Sequence, residues 1–153
     1  MRFGIGANLE SYENNCSQTS VLTFGNCLQS SVIYQATVKG NDNNTSETYI
    51  GLTENAFKIR YRNHTASFRH TKHRNSTELS KHVWSLKDNN IDYSVSWRII
   101  SSSSSYNTSS KRCNLCLKEK FLIICRPNLS SLNKRNELAS SCHHRNKASL
   151  CNN

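Results

Sequence analysis

The sequence predicts a small α+β (α/β) domain, a three-stranded antiparallel sheet flanked by helices in the order ββα-α-β-α. Three observations carry that expectation. Residues 32–38, VIYQATV, form a β-branched run that ends in turn chemistry and is answered by a second extended run at residues 47–52. Phe57, Tyr61, His64 and Phe68 then recur at helical spacing. Finally, Ile91, Tyr93, Val95, Trp97 and Ile99 alternate strictly with other residues, the period of a strand with one buried face.

Between the first two strands, residues 40–46 (GNDNNTS) supply the turn. A hairpin folded symmetrically about Asn41 and Asp42 sets Tyr34 opposite Tyr49, with both phenols on one face. Such a pair is either packing or part of a site. Thr53 is placed to cap a first helix beginning near Glu54. Arg60 and His64 stand one turn apart on that helix. They either face solvent or converge, with the tyrosine of the preceding strand, on one phosphate. No acid occurs from Phe57 to Arg74, and the stretch after the helix is basic.

Ser76 or Thr77 caps a second helix that buries Leu79, Val83 and Leu86, with Trp84 beside them. Residues 88–90 (DNN) turn the chain into the alternating strand, whose other face, Asp92, Ser94, Ser96 and Arg98, is polar unless helices partly cover it. The serine run at residues 101–105 reads as a flexible loop. A third helix is expected from Ser109 or Ser110 to about Cys125, stopping before Arg126-Pro127. Glu119 is its only acid and sits among Leu115, Cys116, Leu122 and Ile123, where an ionised carboxylate needs a partner or a metal. The alternative is a surface glutamate beside a basic face.

A chain of 153 residues with 35% hydrophobic content fits one modest core. We divide it into an irregular N-terminal segment (residues 1–29), a folded domain (30–138) and a basic Cys/His-containing tail (139–153). The net charge is +10, from 20 Lys and Arg against 10 Asp and Glu, and residues 1–50 hold only two of the bases but four of the acids. The remaining eighteen bases and six acids fall in the part with structure, which favours a polyanionic partner, most simply nucleic acid. No apolar stretch approaches the ~20 residues of a membrane span, and no signal-peptide core opens the chain, so an intracellular protein without a membrane partner is expected.

Seven cysteines, an odd number, fit reduced thiols or a metal site better than a closed disulfide framework. Cys113 and Cys116 have zinc-ligand spacing. Cys142 with His143 or its neighbour, or else Cys125, can complete a tetrahedron. The same CxxC is also compatible with two small half-buried helical residues.

Taken together, Val32-Ile33-Tyr34, Tyr49-Ile50-Gly51, Arg60, His64 and Glu119 resemble the GIY-YIG nuclease family over about residues 31–138, closest in flavour to the endonuclease domains of retroelements, the Penelope-like group included, and to homing endonucleases. Val32 stands where the name-giving glycine of the first motif usually falls. The resemblance implies a DNA endonuclease that hydrolyses one phosphodiester, with Tyr34, Tyr49, Arg60 and His64 catalytic and Glu119 holding Mg²⁺ or another divalent cation. Arg62, Arg69, Lys72 and Arg74 would contact the DNA backbone, together with Asn136, which falls near a late family asparagine. DNA is then the partner, nuclear in a eukaryote, with no small-molecule substrate. The rival readings are a catalytically inactive nucleic-acid-binding module with a structural zinc, and a small zinc-binding RNA-associated protein.

Overall fold

The computed structural model describes residues 26–41, 46–134, 142 and 144. It is a mixed α+β fold with three helices and a three-stranded antiparallel sheet. The elements are β1 (Val32–Gly40), β2 (Ser46–Thr53), α1 (Phe57–Arg69), α2 (Glu78–Asp88), β3 (Tyr93–Ser102), a two-stranded ribbon of β4 (Tyr106–Asn107) and β5 (Arg112–Cys113), and α3 (Asn114–Cys125). Among these, no helix is long and apolar enough to cross a membrane.

β1 is the middle strand of the order β2-β1-β3. Its first five residues are all buried because both of its faces are covered. Successive side chains feed opposite layers. Val32, Tyr34, Ala36 and Val38 pack with Phe57 and Phe68 of α1, Leu79 and Val83 of α2, and Trp97 of β3. Ile33 turns the other way, joining Ile50, Cys113, Leu115 and Ile123 beneath α3. Burying a side chain such as Phe57 or Leu115 fully is worth roughly 1.5–3 kcal/mol. Gln35 points into the second layer as well. It accepts from Arg98 Nε at 2.6 Å and donates to the Leu129 carbonyl at 2.6 Å, tying the sheet to the chain just after α3.

The hairpin register corrects the symmetric pairing. Tyr34 lies opposite Gly51, and Tyr49 lies opposite Ala36. The offset is two residues, the full period of a strand, so both phenols still share a face. Gly51 is required by this register: a Cβ built there would stand 2.6 Å from Tyr34 Cζ. The phenol lies over the glycine.

Two helix starts also differ from expectation. α1 begins at Phe57 with Ala56 as its cap residue, and the Phe57 amide donates to the Gln29 carbonyl at 2.9 Å. Thr53 instead ends β2 and gives its hydroxyl to the Asn55 carbonyl, so it caps nothing. α3 begins at Asn114, not at Ser109 or Ser110, because the Asn107 side chain accepts from the Ser109 and Ser110 amides at 2.9 and 3.0 Å and holds them in a turn. Cys113 therefore precedes the helix, and Cys116 lies in its first turn. Ser101 and Ser102 belong to β3 and are no loop. For α2, Thr77 is the cap, its Oγ1 accepting from the Ser80 amide at 3.0 Å.

After α3 the chain returns along β2, an outer strand of the sheet. The Ser131 and Leu132 amides donate to the Thr48 carbonyl at 3.0 and 2.9 Å. The Asn133 side chain brackets Ile50, accepting from its amide at 2.7 Å and donating to its carbonyl at 2.8 Å. Not every described cysteine is reduced. Cys27 is disulfide-bonded, whereas Cys113, Cys116, Cys125 and Cys142 are free thiols.

Candidate functional site

The first layer of the core contains a polar centre. Tyr34, fully buried, has its hydroxyl 3.0 Å from Arg60 Nε and 2.7 Å from His64 Nε2. A guanidinium only donates, so the phenol oxygen accepts from Arg60. The phenol proton is then satisfied by His64 Nε2 as acceptor, which puts the imidazole proton on Nδ1. α1 makes the convergence possible, because residues four apart share one helical face, and that face lies over β1.

The charges of the three groups follow from their surroundings. Burial, and then the neighbouring Tyr49, push the Tyr34 phenol above its ordinary value, with Arg60 pulling the other way. Burial, and then the Arg60 charge, push His64 down to about 3, so it is neutral at physiological pH. Burial alone would lower Arg60, but the Tyr34 and Tyr49 phenols more than offset it and hold the guanidinium charged. The resting centre is one cation among neutral acceptors.

Aromatic rings enclose it. Phe68 stacks on His64 with ring centroids 6.2 Å apart, Trp97 lies 5.3 Å from His64 and 5.9 Å from Tyr34, and Tyr49 meets the His64 ring edgewise at 6.0 Å. Tyr49 is half-buried and also hydrogen-bonds Arg60. Glu119 is 6% exposed on α3, and its charge adds the smallest part of the upward push on Tyr34. Lys120 beside it is buried too. A cation, phenols and one buried carboxylate suit an anionic oxygen and a hard cation.

The basic residues divide. Arg62, Arg69 and Lys72 are exposed on and just after α1. Arg74 is exposed as well, but it is paired with Asp88 at 2.5 Å and lies 5.7 Å over the Trp84 ring, so part of its role is to join the loop to α2. Asn136 and His143 lie outside the described residues. The asparagine that meets the site's strand is Asn133, which spacing from the helix alone did not single out.

A second cluster lies under α3. The ligand atoms of Cys113, Cys116, Cys142 and His144 all fall within 4.8 Å of one another and can hold a metal ion. His144 Nδ1 is 3.4, 3.3 and 3.5 Å from the sulfurs of Cys113, Cys116 and Cys142, and the Cys116 and Cys142 sulfurs are 3.3 Å apart. Burial, and then contact with the Cys142 sulfur, raise the Cys116 thiol above its usual range. The histidine here is His144, and Cys125 lies exposed and outside the set. The CxxC pair could be read from spacing, whereas the choice between adjacent histidines rested on a fold that no spacing gives. The chain matches no protein-family model, no curated protein and no solved structure.

Proposed function

We propose that this protein is a metal-dependent DNA endonuclease of the GIY-YIG type, of retroelement or other mobile-element origin, that nicks DNA by hydrolysing one phosphodiester. The observation that carries the reading is the Tyr34 hydroxyl held between Arg60 and His64. A core needs no such arrangement, since burying a guanidinium and an acid costs stability that apolar residues would not.

Arg60 is half-buried and covers the Tyr34 oxygen. A phosphate draws the guanidinium onto its own oxygens, where it stabilises the charge that grows in the transition state. That movement uncovers the phenol for the attacking water. Tyr34 takes the water's proton while passing its own to His64 Nε2, so no buried tyrosinate accumulates. Of the two causes holding His64 low, the Arg60 charge is the one a bound phosphate cancels, and His64 becomes a better proton acceptor when substrate is present. Tyr49 orients the water and Arg60 from the edge.

Glu119 would hold Mg²⁺ or a similar hard cation, which supplies charge stabilisation to the leaving oxygen. Arg62, Arg69 and Lys72 contact backbone phosphates without reading bases. The Cys113, Cys116, Cys142 and His144 cluster, with its soft donors, is assigned zinc.

The test is nicking of supercoiled plasmid at low salt by wild type and Glu119→Gln, in Mg²⁺ and in EDTA. Wild-type nicking that needs Mg²⁺ and falls at least a hundredfold in the variant is expected. Folded wild type that binds DNA but leaves it intact across several divalent metals would replace this reading with a catalytically inactive binding module, for which the Cys113, Cys116, Cys142 and His144 cluster would provide a structural centre.

A further inference from the structure

Resting on the zinc assignment, and independent of the nuclease reading, we infer that Glu54 is the outer carboxylate of that centre, orienting His144, and that the centre fastens the returning chain, through Cys142 and His144, to the β2–α1 junction and the start of α3. Tetrahedral zinc with Zn–S near ~2.3 Å and Zn–N near ~2.0 Å spaces its sulfurs about 3.8 Å apart and each sulfur about 3.5 Å from the nitrogen. The observed separations of 3.3–3.5 Å, with none beyond 4.8 Å, need only small movements to meet that geometry. Three thiols and one imidazole fill all four positions. Such a closed set leaves no place for a reacting water, so the centre is structural.

His144 uses its two nitrogens in different directions. Nδ1 faces the three sulfurs, and Nε2 faces Glu54 Oε2 at 3.7 Å. Ligation through Nδ1 puts the remaining proton on Nε2, directed at the carboxylate. That partner fixes the ring and makes it a stronger ligand. Both groups are mostly buried, with side chains 12% and 23% exposed, so water screens the pair only partly.

Glu54 is well placed to transmit the constraint. It follows the last residue of β2, and its carbonyl accepts from the Ser31 amide at 3.1 Å, just before β1. One ion would therefore tie the β2–α1 junction, the start of α3 and the returning chain to a single point. The other end of the return is already anchored through Ser131, Leu132 and Asn133 to Thr48 and Ile50. Tyr49 sits within that second anchor, between Thr48 and Ile50.

The experiment uses the full-length chain loaded with Co²⁺ in place of zinc. Absorbance reports the thiolate charge-transfer band, and a chelator competition gives the affinity. Wild type is expected to show a tetrahedral spectrum with three thiolates. Glu54→Gln should keep that spectrum and bind 10–100-fold more weakly, the usual loss for an outer-shell partner. His144→Ala should open the fourth position to water, shifting the Co²⁺ d–d bands and weakening binding, whereas His143→Ala should change neither. Equal affinity in wild type and Glu54→Gln would overturn the role of Glu54 while leaving the zinc assignment standing. Absence of a thiolate band in wild type would overturn the assignment itself. Amide exchange on zinc-loaded protein reads the fastening: chelation should speed exchange at Ile50, Ser131 and Leu132. Unchanged protection there would overturn it.

Discussion

Tyr34 accepts from Arg60 and donates to His64, so the state of each group depends on the other two. His64 makes that dependence measurable. Unfolded, the imidazole takes its proton near ~6.5; folded, burial and Arg60 move this down to about 3. Above about pH 6.5 the ring is neutral in both states and its contribution is fully present. Below that, the unfolded chain binds more protons, so stability falls as pH drops from about 6.5 toward about 3. Urea midpoints are therefore expected to fall between about pH 7.5 and about pH 5, with a flatter profile in His64→Gln. Parallel profiles in the two proteins would remove His64 as the source. The residues of this centre were legible as candidates because helical spacing puts Arg60 and His64 on one face. Their neutral-and-charged arrangement was not, because it depends on how deeply Tyr34 is buried.

At the scale of the element, the pairing of β1 and β2 decides the site. The sequence's alternation placed both tyrosines on one face, a property that survives an offset of two residues. The register itself was not legible, because turn-rich residues 40–46 allow more than one pairing, and the choice is made by the phenol of Tyr34 lying over Gly51. Gly51→Ala is accordingly expected to destabilise by ~1–3 kcal/mol, the usual cost of overpacking, and to reduce nicking by displacing Tyr34. Urea denaturation and the plasmid assay check the two halves. A variant as stable and active as wild type would mean that the strands separate there at little cost. α3 carries the complementary lesson. Its apolar core and its end at Arg126-Pro127 could be read directly, but its start depended on an asparagine side chain capturing two serine amides.

At the scale of the whole molecule, the uneven charge becomes a surface prediction. Arg62, Arg69 and Lys72 are exposed, and each phosphate they neutralise should contribute about 0.9 to the slope of log affinity against log salt. On the proposed function, replacing Arg62 or Lys72 by Ala should lower the slope by that amount. Arg74→Ala should change it less, because Asp88 already engages that side chain. Fluorescence anisotropy on a duplex over a salt series measures this, and equal effects at Arg62, Lys72 and Arg74 would deny Arg74 its structural share. The Cys/His cluster was half legible for a reason at this scale: Cys113 and Cys116 are close in sequence, while Cys142 and His144 join them only after the chain has returned along β2. The burial of Tyr34 also bears on latency. On the proposed function, a central phenol shut away beneath an arginine keeps the centre chemically quiet until a polyanion arrives. Tetranitromethane should thus nitrate half-buried Tyr49 in the resting protein and spare Tyr34. Arg60→Ala should expose Tyr34 to the reagent, as should a bound oligonucleotide phosphate, and mapping of nitrated peptides would show whether the lid is the guanidinium.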